Sequence, residues 1–128
     1  MFTHTIALLA LMATTSPVEA KVYQKADILS KIELSALANG IDPEKMLALG
    51  ICESGLQKFA WNSGDPQGGA HGIFQYLRPT FYAAAKQYGL LNPSIYNSDH
   101  QIKITAYLLA QNKWRLWYNC SKKIGMVQ

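Results

Sequence analysis

Between Asp42 and Gly55 the chain carries its own start and stop signals for a helix, and the segment they enclose is apolar until its last turn. Asp42 suits the N-cap. Pro43 suits the first helical position, where its missing N–H costs nothing, and Glu44 is favoured by the positive end of the helix dipole. Gly55 can take the left-handed conformation that ends a helix. The run Met46-Leu47-Ala48-Leu49-Gly50-Ile51-Cys52 then leads into Glu53. At helical spacing Glu53 shares a face with Gly50, Leu49 and Met46, so its surroundings are apolar with room above the glycine. The alternative is an ordinary solvated glutamate at a helix end. Against it stands the dipole, which disfavours an anion at a C-terminus. A carboxyl among apolar neighbours has its charged form disfavoured and its pKa raised. Such a group stays protonated near neutral pH and can act as a general acid.

Other helices read less sharply. From about Ala26, Ile28, Ile32 and Ala36 recur at helical spacing with Leu29 and Leu37 alongside, and Asn39-Gly40 stops the pattern. Pro79 opens a third helix through Tyr88, ended by Gly89. A fourth is capped near Ser98 or Asp99 and places Ile102, Thr105, Ala106 and Leu109 on one face. Residues 57–75 differ in kind: Asn62-Ser63-Gly64-Asp65-Pro66-Gln67-Gly68-Gly69 is turn chemistry, compatible with short strands or a hairpin. The expectation is a mainly α domain with one glycine-rich loop or small β-hairpin excursion. At 128 residues there is room for one core and not for two ordinary domains.

Residues 1–20 read as a signal peptide preceding a domain of residues 21–128. Ile6 to Ala13 form an apolar run too short to span a bilayer, Pro17 would stop it, and Val18 and Ala20 fit the small-residue pattern before a cleavage site. No Lys or Arg precedes the run. In an exported chain the two cysteines, Cys52 and Cys120, favour a disulfide closing more than half of the chain; two buried thiols are the alternative. His4, His71 and His100 join no CxxC or HxxxH spacing, so no metal and no cofactor are expected. The net charge of +4 suits an acidic polymer, but the basic residues are scattered, which argues against nucleic acid.

Two further motifs carry candidate chemistry. Gly72-Ile73-Phe74-Gln75 presents Gln75, donor and acceptor at once, on what reads as a short extended segment suited to a sugar amide or hydroxyl. Ala106-Tyr107-Leu108 places a tyrosine on the fourth helix whose hydroxyl could hold the Glu53 carboxyl. As bare patterns these are a half-buried strand and a core aromatic. Trp61, Tyr76 and Tyr118 could line a groove that stacks on sugar rings, although most aromatics of a small domain fill its core.

Taken in order, Glu53-Ser54, Gly72-Ile73-Phe74-Gln75 and Ala106-Tyr107-Leu108 resemble the three motifs of the soluble lytic transglycosylase (SLT) domain, of goose-type-lysozyme-like fold. The resemblance runs from about Ala38 to Leu109. Ile73-Phe74 stands where the family has Leu-Met, and His100-Gln101-Ile102 only loosely follows its Asn-Ile. The cysteine pair is not a general family feature. The resemblance implies an α+β lysozyme-like fold and peptidoglycan glycan strands as substrate. It makes Glu53 the catalytic acid and base, oriented by Ser54 and Tyr107. Gln75, the backbone around Phe74, Gly72 and Tyr76 would bind substrate. The signal-peptide reading places the chain outside the cytoplasm, periplasmic or associated with the cell wall; a monomer is expected, with a secretion, conjugation or phage apparatus as a conceivable partner. Asp65 is the residue that could support a water-using, lysozyme-like outcome, and a non-catalytic wall-binding module is a third reading.

Overall fold

A computed structural model describes residues 16–64 and 68–128. The apolar run Ile6–Ala13 and the candidate Asp65 lie outside the described residues. Ser16 caps helix α1 (Pro17–Ala38) through a capping box with Glu19, and Pro17 takes one of its first positions. The sequence pattern placed this start near Ala26, and it comes nine residues earlier. Apolar periodicity could not show it, because residues 16–27 are exposed throughout and burial begins at Ile28. Pro17 thus opens a helix here, and the boundary between Ala20 and Lys21 falls within its first turns. Ile28, Ile32 and Ala36 form the buried face, while Leu29 and Leu37 point to solvent.

Helix α2 (Pro43–Ser54) begins and ends on its own signals. The Asp42 carboxylate accepts from the Glu44 N–H at 2.9 Å, and Gly55 closes the helix in the left-handed region at φ 65°. Two short strands, β1 (Trp61–Asn62) and β2 (Ala70–His71), pair antiparallel with Trp61 opposite His71 and Asn62 opposite Ala70. This is the expected hairpin excursion.

Helix α3 (Arg78–Tyr88) follows, then α4 (Ser98–Ala110). The cap of α4 is Asn97, one residue before the expected pair; its side-chain oxygen accepts from the N–H groups of Asp99 and His100. A 3₁₀ turn (Trp114–Trp117) leads into the short helix α5 (Tyr118–Lys123).

Helix α1 packs on α2 and α4, α3 packs on α4, and α5 returns to α2. Phe74, Phe81, Ile32, Met46, Leu49, Ile73, Ile95 and Ile104 are fully buried between them. A disulfide joins Cys52 to Cys120, with Cα atoms 5.8 Å apart across a sequence separation of 68. Among the described residues no helix is long and apolar enough to cross a membrane. The architecture is mainly helical, with one two-stranded sheet.

Candidate active site

Glu53 occupies the last turn of α2, above the buried Met46, Leu49 and Gly50. Gly50 leaves no spare room in the helix: a Cβ there would meet Leu56 at 3.0 Å and Ile73 and Phe74 at 3.4 Å. The turn that follows the hairpin therefore packs directly on α2. Burial raises the Glu53 pKa from 4.5 to about 7, and the Lys123 ammonium on α5 opposes that rise. The disulfide beside Glu53, at Cys52, joins α5 and its lysines to this end of α2, and Lys45 Nζ of α2 donates to the Ile124 carbonyl at 2.8 Å.

Ser54 ties the end of α2 to the 72–75 turn. Its hydroxyl donates to the Ile73 carbonyl at 2.7 Å and accepts from the Gln57 N–H at 3.2 Å. It fixes the backbone that carries Glu53 and makes no bond to the carboxyl itself.

Gly72–Gln75 is a tight turn and not the extended segment expected from its pattern. It is closed by reciprocal backbone bonds between His71 and Tyr76 of 2.9 and 3.0 Å. Gly72 at φ 78° and Gln75 at φ 51° both lie in the left-handed region. The Gln75 amide donates to the carbonyls of Ala60 (3.2 Å) and Gly72 (3.0 Å), so its two donors serve the turn and its side-chain oxygen remains as acceptor.

Phe74 is wholly buried, and its backbone is committed within the protein: its N–H donates to Gln101 Oε1 at 3.1 Å and its carbonyl accepts from Trp117 Nε1 at 2.8 Å. It holds the turn in place. Tyr76 is committed to the interior as well. It is 2% exposed, shares a hydrogen bond with Thr105 Oγ1 at 2.7 Å and lies edge-on to Phe81 and Trp117, so it belongs to the core and lines no groove. Burial drives its phenol pKa up. Tyr107 packs edge-on against Tyr88 of α3, with ring centroids 5.2 Å apart, and among the described residues no hydrogen bond joins it to Glu53. One face of α4 holds Gln101, Thr105 and Leu108 toward the core, which leaves Tyr107 on the side of α3.

Gln101 is the residue that pattern reading missed. It is 1% exposed, and besides the Phe74 N–H it serves the carbonyls of His71 (2.9 Å) and Ile95 (2.7 Å). A Cβ at Gly72 would come within 2.2 Å of its amide nitrogen, so the glycine and the glutamine require each other. The signal was present as a lone amide on an otherwise apolar helix face, in the stretch where the family has Asn-Ile.

The transglycosylase SLT domain profile matches residues 30–120. The chain belongs to the transglycosylase SLT domain family. No curated protein and no solved structure matches it. The matched SLT span contains α2 from end to end, the hairpin, the Gly72–Gln75 turn and Gln101, and it reaches Cys120. Members of this family act on peptidoglycan, and the SLT domain here presents one half-buried carboxyl at the end of an apolar helix. Among the described residues no group of three His, Cys, Asp or Glu comes together.

Proposed function

We propose that this protein is a lytic transglycosylase that cleaves the β-1,4 bond between N-acetylmuramic acid and N-acetylglucosamine in peptidoglycan. The single observation that carries the reading is Glu53, whose burial holds its pKa near 7, so that it can both give and take a proton at neutral pH. In the acid step Glu53 donates its proton to the glycosidic oxygen as that oxygen separates from C1 of the muramic residue. In the base step the resulting carboxylate takes the proton of the muramic C6 hydroxyl, whose oxygen forms a new bond to C1. The proton count returns to its starting value, no water is consumed, and the product ends in a 1,6-anhydro ring.

Ser54 is the positioning residue in this scheme, because it locks the last turn of α2 to the Ile73 carbonyl. The Gln75 side-chain oxygen, with its amide donors already engaged, is the acceptor for an acetamido N–H. A disulfide and a wall substrate both fit action outside the cytoplasm, after removal of residues 1–20.

The test is mass spectrometry of muropeptides released from purified sacculi by the oxidised protein, beside Glu53→Gln. Anhydro-ended products that vanish in the variant are expected. Reducing-end products would replace the reading with a water-using muramidase and direct attention to Asp65. No products at all would leave a wall-binding module.

A further inference from the structure

Helix α1 is longer than its packing requires. Residues 16–27 are exposed throughout and burial begins at Ile28, so about three turns of the helix bury nothing. Across from them runs the turn that leaves the Gly55 cap of α2, and the two enclose a cavity of about 480 Å³. Lys21 and Lys25 line it from the helix, and Leu56, Lys58 and Phe59 from the turn. No acidic side chain lines it among the described residues. The turn is bonded along its length. Leu56 is 7% exposed at φ 64°, and the Gln57 N–H donates to Ser54 Oγ at 3.2 Å. Ala60 donates to the Gln57 carbonyl at 3.3 Å, and its own carbonyl accepts from the Gly72 N–H at 2.7 Å. Phe59, inside that frame, is nevertheless 79% exposed.

The helix continues this surface. Val22, Lys25 and Leu29 share one flank at helical spacing, and Val22 is 60% exposed. Lys25 belongs to that flank and to the cavity, so cationic and apolar side chains alternate across the two. The acidic residues of this part of the helix turn away from it. Glu19 is held in the Ser16 capping box, and Asp27 pairs with Lys31 at 3.0 Å. Each stands two positions from a cavity lysine and so on another side of the helix.

We infer that this face docks on an anionic lipid surface. A polyanion in solution has no use for the exposed ring, and an apolar protein partner has none for three lysines. A bilayer bearing anionic lipid satisfies both: the ammonium groups reach headgroup phosphates while Phe59 and Val22 enter the boundary with the acyl chains. Lys21, Val22, Lys25, Lys58 and Phe59 all lie in 21–128, so the face survives removal of residues 1–20, and no described residue among those removed is buried. Docking concerns where the protein acts and uses no property of the Glu53 carboxyl. Because the 56–59 turn leaves directly from the Gly55 cap, docking would keep the Glu53 end of α2 close to the membrane.

The experiment is cosedimentation of the oxidised 21–128 chain with two kinds of vesicle, pure phosphatidylcholine and equal parts phosphatidylcholine and phosphatidylglycerol. Partition onto the anionic vesicles should be about a hundredfold stronger, with each of the three lysines contributing about a factor of five. Lys21→Gln, Lys25→Gln and Lys58→Gln combined should bring it down to the phosphatidylcholine level, and Phe59→Ser should weaken anionic binding about tenfold. The same charge removed elsewhere, as Lys86→Gln, Lys103→Gln and Lys113→Gln combined, should leave most of the preference, since none of these lines the cavity. No substituted lysine is buried, so both triple variants should melt with the wild type. Glycerol phosphate should release the protein no better than sodium chloride at the same ionic strength. Selective release would reveal a small-anion site and overturn the inference. So would equal partition onto both vesicles, no measurable binding, an undiminished preference in the cavity variant, or an equal loss in the distal one. Anhydro product from sacculi reports on Glu53 independently of all these outcomes.

Discussion

Lifting the Glu53 carboxyl from 4.5 to about 7 by burial couples the chemistry to the stability of the fold. The folded state then holds a proton that the unfolded chain releases more readily, so stability falls as pH rises through this interval and is flat below it. Glu53→Gln carries no such charge. Its melting temperature should match that of the wild type near pH 4 and exceed it near pH 8, a divergence that differential scanning calorimetry at the two pH values would show or refute. Rate should follow the same group. The acid form is required for the first proton transfer, so activity declines on the alkaline side of about pH 7. Lys123 is the charge that opposes the rise, and Lys123→Gln should move the alkaline limb of the pH–rate profile upward with little loss of the maximum. A limb that stays in place would mean that burial alone sets this pKa.

At the level of elements, the turn between β2 and α3 is held by three separate parts of the chain: Ser54 from α2, Gln101 from α4 and Trp117 from the 3₁₀ turn. Gly72→Ala would place a methyl group against the Gln101 amide and impose a left-handed conformation on a residue with a Cβ. A loss of about 3 kcal/mol in urea unfolding is expected. Gln101→Leu should cost ~2–4 kcal/mol, because the Phe74 N–H and the Ile95 carbonyl lose their partners in a dry interior. If either variant unfolds within 0.5 kcal/mol of wild type, a figure typical of neutral surface changes, this account of the turn is wrong. Helix α2 was fully legible in sequence because Asp42, Pro43 and Gly55 act through local backbone chemistry. The start of α1 was hidden because its first turns bury nothing and only the Ser16–Glu19 box marks them. That the Gln75 amide donors and the Phe74 backbone are already engaged was not legible, because sequence displays a residue's donors and acceptors without showing which the fold has taken. The surroundings of Tyr107 and Tyr76 were hidden for a related reason: a hydroxyl in a sequence says nothing about the direction from which a partner arrives.

Across the whole molecule, the disulfide is the one covalent link between the helix that bears Glu53 and α5. Replacing both cysteines, as Cys52→Ser with Cys120→Ser, should cost ~4 kcal/mol in the chain-entropy account and lower the melting temperature by roughly 15 °C. Released from α2, α5 would also withdraw Lys123, so the double variant should reproduce the alkaline shift of Lys123→Gln at temperatures where it is still folded. A double variant with wild-type melting and an unmoved pH limb would show that packing alone seats α5.

Because that seat is provided by residues far downstream of Glu53, a growing chain acquires this glutamate long before it acquires the surroundings that tune it. Contacts of such sequence separation form late. A ribosome-bound chain that ends short of Cys120 would carry Glu53 on a helix that lacks both α5 and the Lys123 ammonium. Competence is therefore an event in time as well as an arrangement in space. It arrives with Trp117, Cys120 and Lys123, and becomes permanent once the two sulfur atoms are oxidised.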